Sequence, residues 1–188
     1  MENTLAFKIK THWHKEEKDR STDEIAGAIA FSSWRIAVEK AMNLHSEHFD
    51  FTSHQQRLGV IVEYLLFQAQ VVDRLVHDDF SNEERQNLII TLVKRLAEHV
   101  QSNSEDMLGA NDYQTPFFEK FNLRTAEYTE LAFTDEGPSY PFMRHLGYEI
   151  QQIMGDEKEN RWVIDQVMDK DGVEVYTQLK RLVKSLTT

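Results

Sequence analysis

The chain has 188 residues and a mass of 22.1 kDa, which is the size of one ordinary domain. Its hydrophobic share of 40% provides enough apolar side chains for a core and argues against disorder of the whole chain. With 32 Asp+Glu against 21 Lys+Arg, the net charge of −11 disfavours nucleic-acid binding, and the absence of Cys excludes disulfides and thiolate chemistry.

The first ten residues mix charged and apolar side chains and lack the continuous apolar region of a signal peptide. No later segment approaches the roughly 18 consecutive apolar residues that a membrane-spanning helix needs. We therefore expect a cytoplasmic protein that makes no membrane contact.

The N-terminal segment, residues 1–20, differs from the rest in its pattern. Leu5, Phe7 and Ile9 alternate with other residues at the period of a β-strand, and no partner strand is evident elsewhere. The segment is therefore predicted to be an extended or flexible arm. Only 7 Gly and 3 Pro interrupt the chain, which favours long elements and predicts an all-α, single-domain bundle of about six or seven helices over residues 21–188.

Residues 21–78 are predicted to form an antiparallel helical hairpin. Ser21 and Glu24 make a capping box at the start of the first helix. A broad apolar stripe follows, formed by Ile25, Ile29, Phe31, Trp34, Ile36, Val38, Ala41 and Met42. The second helix is apolar almost all round, because Glu63 is the only charged residue between Arg57 and Asp73. Such a helix belongs in the centre of a bundle.

The remainder of the chain divides into a third helix and a C-terminal group. The helix over 81–103 opens with a second capping box, and residues 101–112 are predicted to be a polar linker. Residues 113–188 are predicted to form aromatic-rich helices, the first of them running from Pro116 to a stop at Gly137-Pro138. Gly172 is predicted to make a turn with positive φ between the last two helices.

Standard catalytic motifs are missing from the sequence. It contains no phosphate-binding glycine loop, no nucleophile elbow, no H-E-x-x-H and no Glu-x-x-His pair of the di-iron bundles. No catalytic residue is therefore assigned, and no cofactor is predicted.

One alternative is a metal centre built from histidines. His45 and His48 share a helix face, and His77 is followed by Asp78. A histidine followed at a distance by His77-Asp78 resembles the metal-binding pattern of HD-domain phosphohydrolases. The resemblance implies a divalent metal held by His45, His48, His77 and Asp78 and a metal-dependent phosphohydrolase activity.

A second alternative is a small-ligand sensor or carrier with an apolar cavity. Glu63 and Arg35 are isolated charges in apolar helices, and the hairpin register permits a slanted contact between them. The aromatic band after residue 113 adds polar groups that could line such a cavity. The candidate ligand-binding residues are Arg35, Glu63, Tyr128, Arg144 and His145.

The leading hypothesis is a non-enzymatic module that binds another protein or a second copy of itself, with a homodimer as one arrangement. It follows mainly from the missing catalytic motifs, and the N-terminal arm is one candidate contact. No nucleic-acid partner is expected.

Overall fold

Long helices make up most of the computed structural model, which describes residues 20–46, 49–155 and 160–187. A short antiparallel hairpin pairs Phe133 with Pro138 and Thr134 with Gly137. The long helices are α1 (Thr22–Ser46), α2 (His54–Leu75), α3 (Asn82–Leu108), α4 (Gln114–Thr129), α5 (Tyr140–Met154) and α7 (Gly172–Thr187). A one-turn helix α6 (Val163–Gln166) and a π-helical turn (Val167–Asp171) lead into α7. The predicted all-α fold is confirmed.

Serine caps begin the helices where the sequence predicted them. The Ser21 hydroxyl accepts from the Glu24 amide at 3.2 Å, and the Glu24 carboxylate accepts from the Ser21 amide at 2.9 Å. Ser81 and Glu84 form the same reciprocal capping box at the start of α3. These caps satisfy amides that the first turn of a helix leaves without a carbonyl partner.

Helix α2 lies in the centre of the bundle, as its apolar circumference predicted. Every residue from Tyr64 to Val72 is buried, and α2 contacts α1, α3, α4, α5 and α7. A continuous hydrophobic core joins side chains from all six long helices. The described part of the chain is therefore a single helical domain around α2.

The predicted polar linker over 101–112 is wrong, because α3 continues to Leu108. The side chain of Asn103 donates to the backbone carbonyl one turn earlier at 2.8 Å. The side-chain oxygen of Gln101 accepts from the Tyr113 amide at 2.8 Å and so ties α3 to the start of α4. Polar residues that favour a loop locally are thus satisfied within the helix.

Helix α4, in contrast, ends earlier than predicted, at Thr129 rather than at Gly137-Pro138. The hairpin occupies the interval between α4 and α5. Gly137 has φ of 124°, and a β-carbon there would lie 2.6 Å from the ring of Tyr176. Only glycine fits this backbone conformation and this close approach.

The predicted positive φ at Gly172 is wrong, because this residue has a helical φ of −63°. The chain instead stays helical from α6 through the π-helical segment into α7. A β-carbon at Gly172 would lie 3.0 Å from Met143 Sδ and 3.2 Å from the Val167 carbonyl oxygen. Close packing, rather than backbone conformation, therefore accounts for glycine at this position.

The predicted N-terminal arm lies almost wholly outside the described residues. Arg20, the first of them, donates to the Ser185 carbonyl at 2.7 Å, which links the start of α1 to the end of α7. Among the described helices, none combines the length and the apolar character that crossing a bilayer requires.

Two helical glycines offer a matched test of the packing. A β-carbon at Gly147 would lie 2.9 Å from the backbone oxygen of Ile164, whereas one at Gly27 would meet no atom within 4 Å. We expect Gly147→Ala to destabilise the fold by about 1–3 kcal/mol through overpacking. We expect Gly27→Ala to stabilise it by about 0.5–1 kcal/mol through helix propensity. Urea unfolding of both variants measures this, and a stabilising Gly147→Ala would contradict the packing of α5 against α6.

Candidate functional site

A buried ion pair between α2 and α4 forms the centre of a charged cluster. Arg124 Nε donates to Glu63 Oε2 and Arg124 Nη2 donates to Glu63 Oε1, each at 2.9 Å. The side chains of Glu63 and Arg124 are 2% and 6% exposed. Lys120, one turn before Arg124 on α4, places its Nζ 2.6 Å from Glu63 Oε1. The buried carboxylate of Glu63 on the central helix is thus paired by two cations.

The cluster continues from Arg124 towards the surface. Arg124 Nη1 donates to Glu127 Oε2 at 2.8 Å, and Nη2 contacts Glu149 Oε2 on α5. His145 Nε2 lies 3.0 Å from Glu127 Oε2. We call Glu63, Lys120, Arg124, Glu127, His145 and Glu149 the Arg124 cluster. It joins α2, α4 and α5 through one guanidinium.

Burial and the neighbouring cations act in opposite directions on the pKa values of the carboxyls in this cluster. Burial raises the pKa of Glu149, and the carboxylate of Glu63 adds to this against the opposing effect of Arg124. Burial also acts to raise the pKa of Glu127, but the hydrogen bonds from Arg124 and His145 outweigh it and lower that pKa. Two carboxyls that meet the same guanidinium thus have pKa values shifted in opposite directions.

Aromatic rings from the predicted band pack into the core beside the cluster. Tyr128 and Phe142 are buried, with ring centroids 4.5 Å apart, and the ring of His145 lies 4.8 Å from that of Tyr128. Burial and the Glu63 carboxylate raise the pKa of Tyr128 well above its usual value. These rings form the apolar wall against which the charges lie.

The structure brings together three of the five predicted ligand-binding residues and separates the other two. Glu63, Tyr128 and His145 lie at the Arg124 cluster, and Arg144 is exposed on α5. The Arg35 guanidinium lies 5.9 Å from the ring centroid of Phe31 on its own helix. The slanted contact between Arg35 and Glu63 is therefore replaced by the pair between Arg124 and Glu63.

The predicted histidine metal centre is divided between the two ends of α2. His45 Nδ1 lies 3.2 Å from an Asp50 oxygen, and His77 Nδ1 lies 4.0 Å from Asp78. The 22 residues of α2 separate these pairs by about 33 Å along the helix. His48 lies outside the described residues. His45 and His77 are thus too far apart to bind one ion.

Sequence reasoning missed the partners of Glu63. Lys120, Arg124 and Glu127 recur on α4 at spacings of four and three residues, which places them on one helix face. His145 and Glu149 are one turn apart on α5. This helical spacing of charges between aromatic residues was the signal available for the cluster.

An apolar face of α1 is exposed to solvent. Phe31 and Met42 are 55% and 64% exposed. Trp34 and Val38 lie between them on the same side of the helix, but both are half-buried and pack against the core, with Trp34 stacked on His99 of α3. Arg35 and Glu39 flank these residues, and an open groove is lined by Trp34, Arg35, Val38, Glu39, Met42 and Asn43. We call this surface the α1 face.

A second set of buried polar side chains links α2 to the π-helical turn and α1 to α7. The Tyr64 hydroxyl donates to Asp171 Oδ2 at 3.0 Å, and both residues are at most 1% exposed. Lys40 is likewise buried and contacts Glu174 of α7. Burial raises the pKa of Asp171 to about 6, and burial together with the Asp171 charge raises the pKa of Tyr64. π-Helical turns often occur at functional sites.

No protein-family model matches the chain, and no curated protein or solved structure matches it either. The fold and the site together define the class, which is an all-α helical domain with a buried Glu–Arg cluster and an exposed apolar helix face. The resemblance to HD-domain phosphohydrolases stays a hypothesis that is carried by His77-Asp78 and an upstream histidine.

Proposed function

We propose that this protein is a non-enzymatic self-association module whose α1 face packs against the α1 face of a second copy. The observation that carries the proposal is the exposure of Phe31 and Met42 on one side of a helix whose other side is in the core. Large apolar side chains grouped on a solvent-facing helix are typical of interaction surfaces. The compartment that we propose is the cytoplasm, with which a Cys-free chain is compatible.

The spacing of the apolar residues along the α1 face suits contact with a second helix. Phe31, Trp34, Val38 and Met42 follow one another at intervals of three, four and four residues. This is the alternation with which helices interdigitate in bundles and coiled coils. The stretch from Phe31 to Met42 covers about 17 Å of helix, which suits a small and concentration-dependent contact rather than a permanent one.

Charge complementarity favours a second copy as the partner. In an antiparallel pair related by a twofold axis near residue 37, Arg35 of one copy lies level with Glu39 of the other. The same symmetry repeats this ion pair and places each Phe31 within one residue of the level of the other copy's Met42. The α1 face is therefore self-complementary in charge and in apolar contact, as a twofold interface requires.

The mass of the protein in solution tests this proposal. We expect the untagged chain to change from monomer to dimer between about 1 and 100 µM in sedimentation equilibrium. Phe31→Glu with Met42→Glu should abolish the dimer over this range, because each carboxylate would lose water in an apolar contact. The matched control is Leu123→Glu, since Leu123 is 54% exposed on α4 away from the α1 face.

A charge exchange then distinguishes the antiparallel geometry from other contacts. Arg35→Glu alone should weaken the dimer by placing two carboxylates together, and adding Glu39→Arg should restore it. A monomer at every concentration overturns the proposal, and so does a dimer that survives the Phe31 and Met42 substitutions. Loss of the dimer in Leu123→Glu alone would move the interface to α4 and overturn it as well.

A further inference from the structure

The outer part of the Arg124 cluster contains three side chains of metal-ligating type. His145 and Glu149 lie one turn apart on α5, and Glu127 lies on the facing helix α4. One ligand atom from each lies within 4.8 Å of the other two. Ligand atoms around one Zn²⁺ are about 3–4 Å apart, since each bond measures about 2.0–2.2 Å. Side-chain shifts of about 1 Å would therefore bring all three to one ion.

The exposure of the three side chains leaves a route to the site and room for a water ligand. Glu127, His145 and Glu149 are 33%, 18% and 17% exposed. Three protein ligands with an open fourth position are typical of Zn²⁺ sites that are not purely structural. Imidazole together with carboxylates favours Zn²⁺ and similar first-row ions over Mg²⁺.

The charges of the cluster favour a further cation. The carboxylates of Glu63, Glu127 and Glu149 face the two cations Lys120 and Arg124, which leaves one negative charge in excess when His145 is neutral. A divalent ion at the outer edge would neutralise this excess. The nearby guanidinium also repels a metal, so we expect an affinity of about micromolar rather than nanomolar.

Arg124 is placed to support the ligands rather than to occupy their site. Its bonds to Glu63 hold it towards the core, and its contacts with Glu127 and Glu149 use the Oε2 atom of each. Each carboxylate has a second oxygen with which to bind a metal. Hydrogen bonds from outside a metal site commonly fix its carboxylate ligands in this way.

We propose that Glu127, His145 and Glu149 form a binding site for one divalent transition-metal ion, for which Zn²⁺ is the test ion. On binding, the ion would replace the present hydrogen bond between His145 Nε2 and Glu127 Oε2, and Glu127 would bind it through its other carboxylate oxygen, Oε1. The site is separate from the α1 face, so it stands whether or not the chain self-associates.

Calorimetric titration of the full, untagged chain with Zn²⁺ tests the site directly. We expect one ion per chain and no competition from Mg²⁺ in excess. His145→Gln or Glu149→Gln should weaken binding by at least about tenfold, because each removes one of three ligands. The matched control is the double variant His45→Gln with His77→Gln, which should bind Zn²⁺ as the wild type does.

A measurement on the wild type keeps the test independent of folding in the variants. Substoichiometric Mn²⁺ should broaden the ring resonances of His145 before those of any other histidine. Weak binding at several ions per chain overturns the proposal, as does equal loss in the control and the His145 variant. Broadening of His45 or His77 first would overturn it too and would favour those histidines instead.

Discussion

Arg124→Met is expected to destabilise the fold by about 3–5 kcal/mol, because it leaves the Glu63 carboxylate buried without its guanidinium. Glu63 is 2% exposed, and both of its oxygens accept from Arg124. Lys120 remains close to Glu63 Oε1 at 2.6 Å, so its ammonium will keep the loss towards the lower end of this range. Urea unfolding at neutral pH measures the change.

An exposed arginine provides the control for this variant. Arg95 is 44% exposed and pairs with Asp23 and Glu98, both at 3.3 Å. Arg95→Met should cost less than about 1 kcal/mol, since exposed ion pairs contribute little. Equal losses in the two variants would mean that burial of the Glu63 pair has no energetic consequence.

Removing both charges together shows how much of the stability lost in Arg124→Met comes from leaving the Glu63 charge unpaired in the core. Glu63→Leu combined with Arg124→Met should recover most of the stability that Arg124→Met loses, because no ionised group is then stranded in the core. Glu127 and Glu149 would still lose the guanidinium that they contact. Recovery will therefore be partial, and a double variant less stable than Arg124→Met would contradict this explanation.

Local signals in the sequence predicted the elements that local interactions determine. The caps at Ser21 and Ser81 act within one turn, and the apolar circumference of α2 fixes its central position regardless of its neighbours. The predicted linker over 101–112 was wrong because the Gln101 side chain accepts hydrogen bonds from the Tyr113 and Gln114 amides at the start of α4, which outweigh the loop preference of Ser and Asn.

These local signals could not predict which side chains pair between helices that are distant in sequence. Glu63 was identified as unusual from its apolar surroundings, but its partner Arg124 lies 61 residues further along the chain. The hairpin register could compare only α1 with α2 and so suggested Arg35. The position of α4 against α2 decides the pairing, and that depends on packing of the whole bundle.

The exposure of the α1 face could not be predicted from the sequence either, because it too depends on contacts between helices. The spacing of Phe31, Trp34, Val38 and Met42 indicated a stripe but did not show whether another helix covers it. In the structure the side of α1 that carries Ile25 and Ile29 faces the core, and Phe31 and Met42 face solvent. A helix that is apolar on two sides needs a partner for each side, which is the reasoning behind the proposed dimer.

Asp171→Asn is expected to stabilise the protein at neutral pH by up to about 3 kcal/mol. Burial raises the pKa of Asp171 from 3.8 to about 6, and the ionised carboxylate is therefore costly in the folded state. A rise of the pKa from 3.8 to about 6 corresponds to about 3 kcal/mol. The asparagine oxygen can still accept from the Tyr64 hydroxyl, so the buried hydrogen bond is kept.

The sign of the pH dependence follows from the direction of this pKa shift. The folded protein binds the Asp171 proton more tightly than the unfolded chain does, so this group favours folding at about pH 4 and below. That contribution is lost as the pH rises through about 6 and stays lost above it. The attraction of Lys40 for the carboxylate opposes the effect of burial and so limits the rise of the Asp171 pKa to about 6 and the loss to about 3 kcal/mol.

Urea unfolding of the wild type and of Asp171→Asn from about pH 4 to about pH 8 measures this difference. The stability gained by the variant should be near zero at the acidic end, grow around pH 5 to 6 and then level off. Asp169→Asn is the matched control, because Asp169 is an exposed carboxyl in the same π-helical turn and should change stability little at any pH. A gain for Asp171→Asn that is constant with pH, or that shrinks as the pH rises, would show that this carboxyl does not titrate between these limits in the folded core.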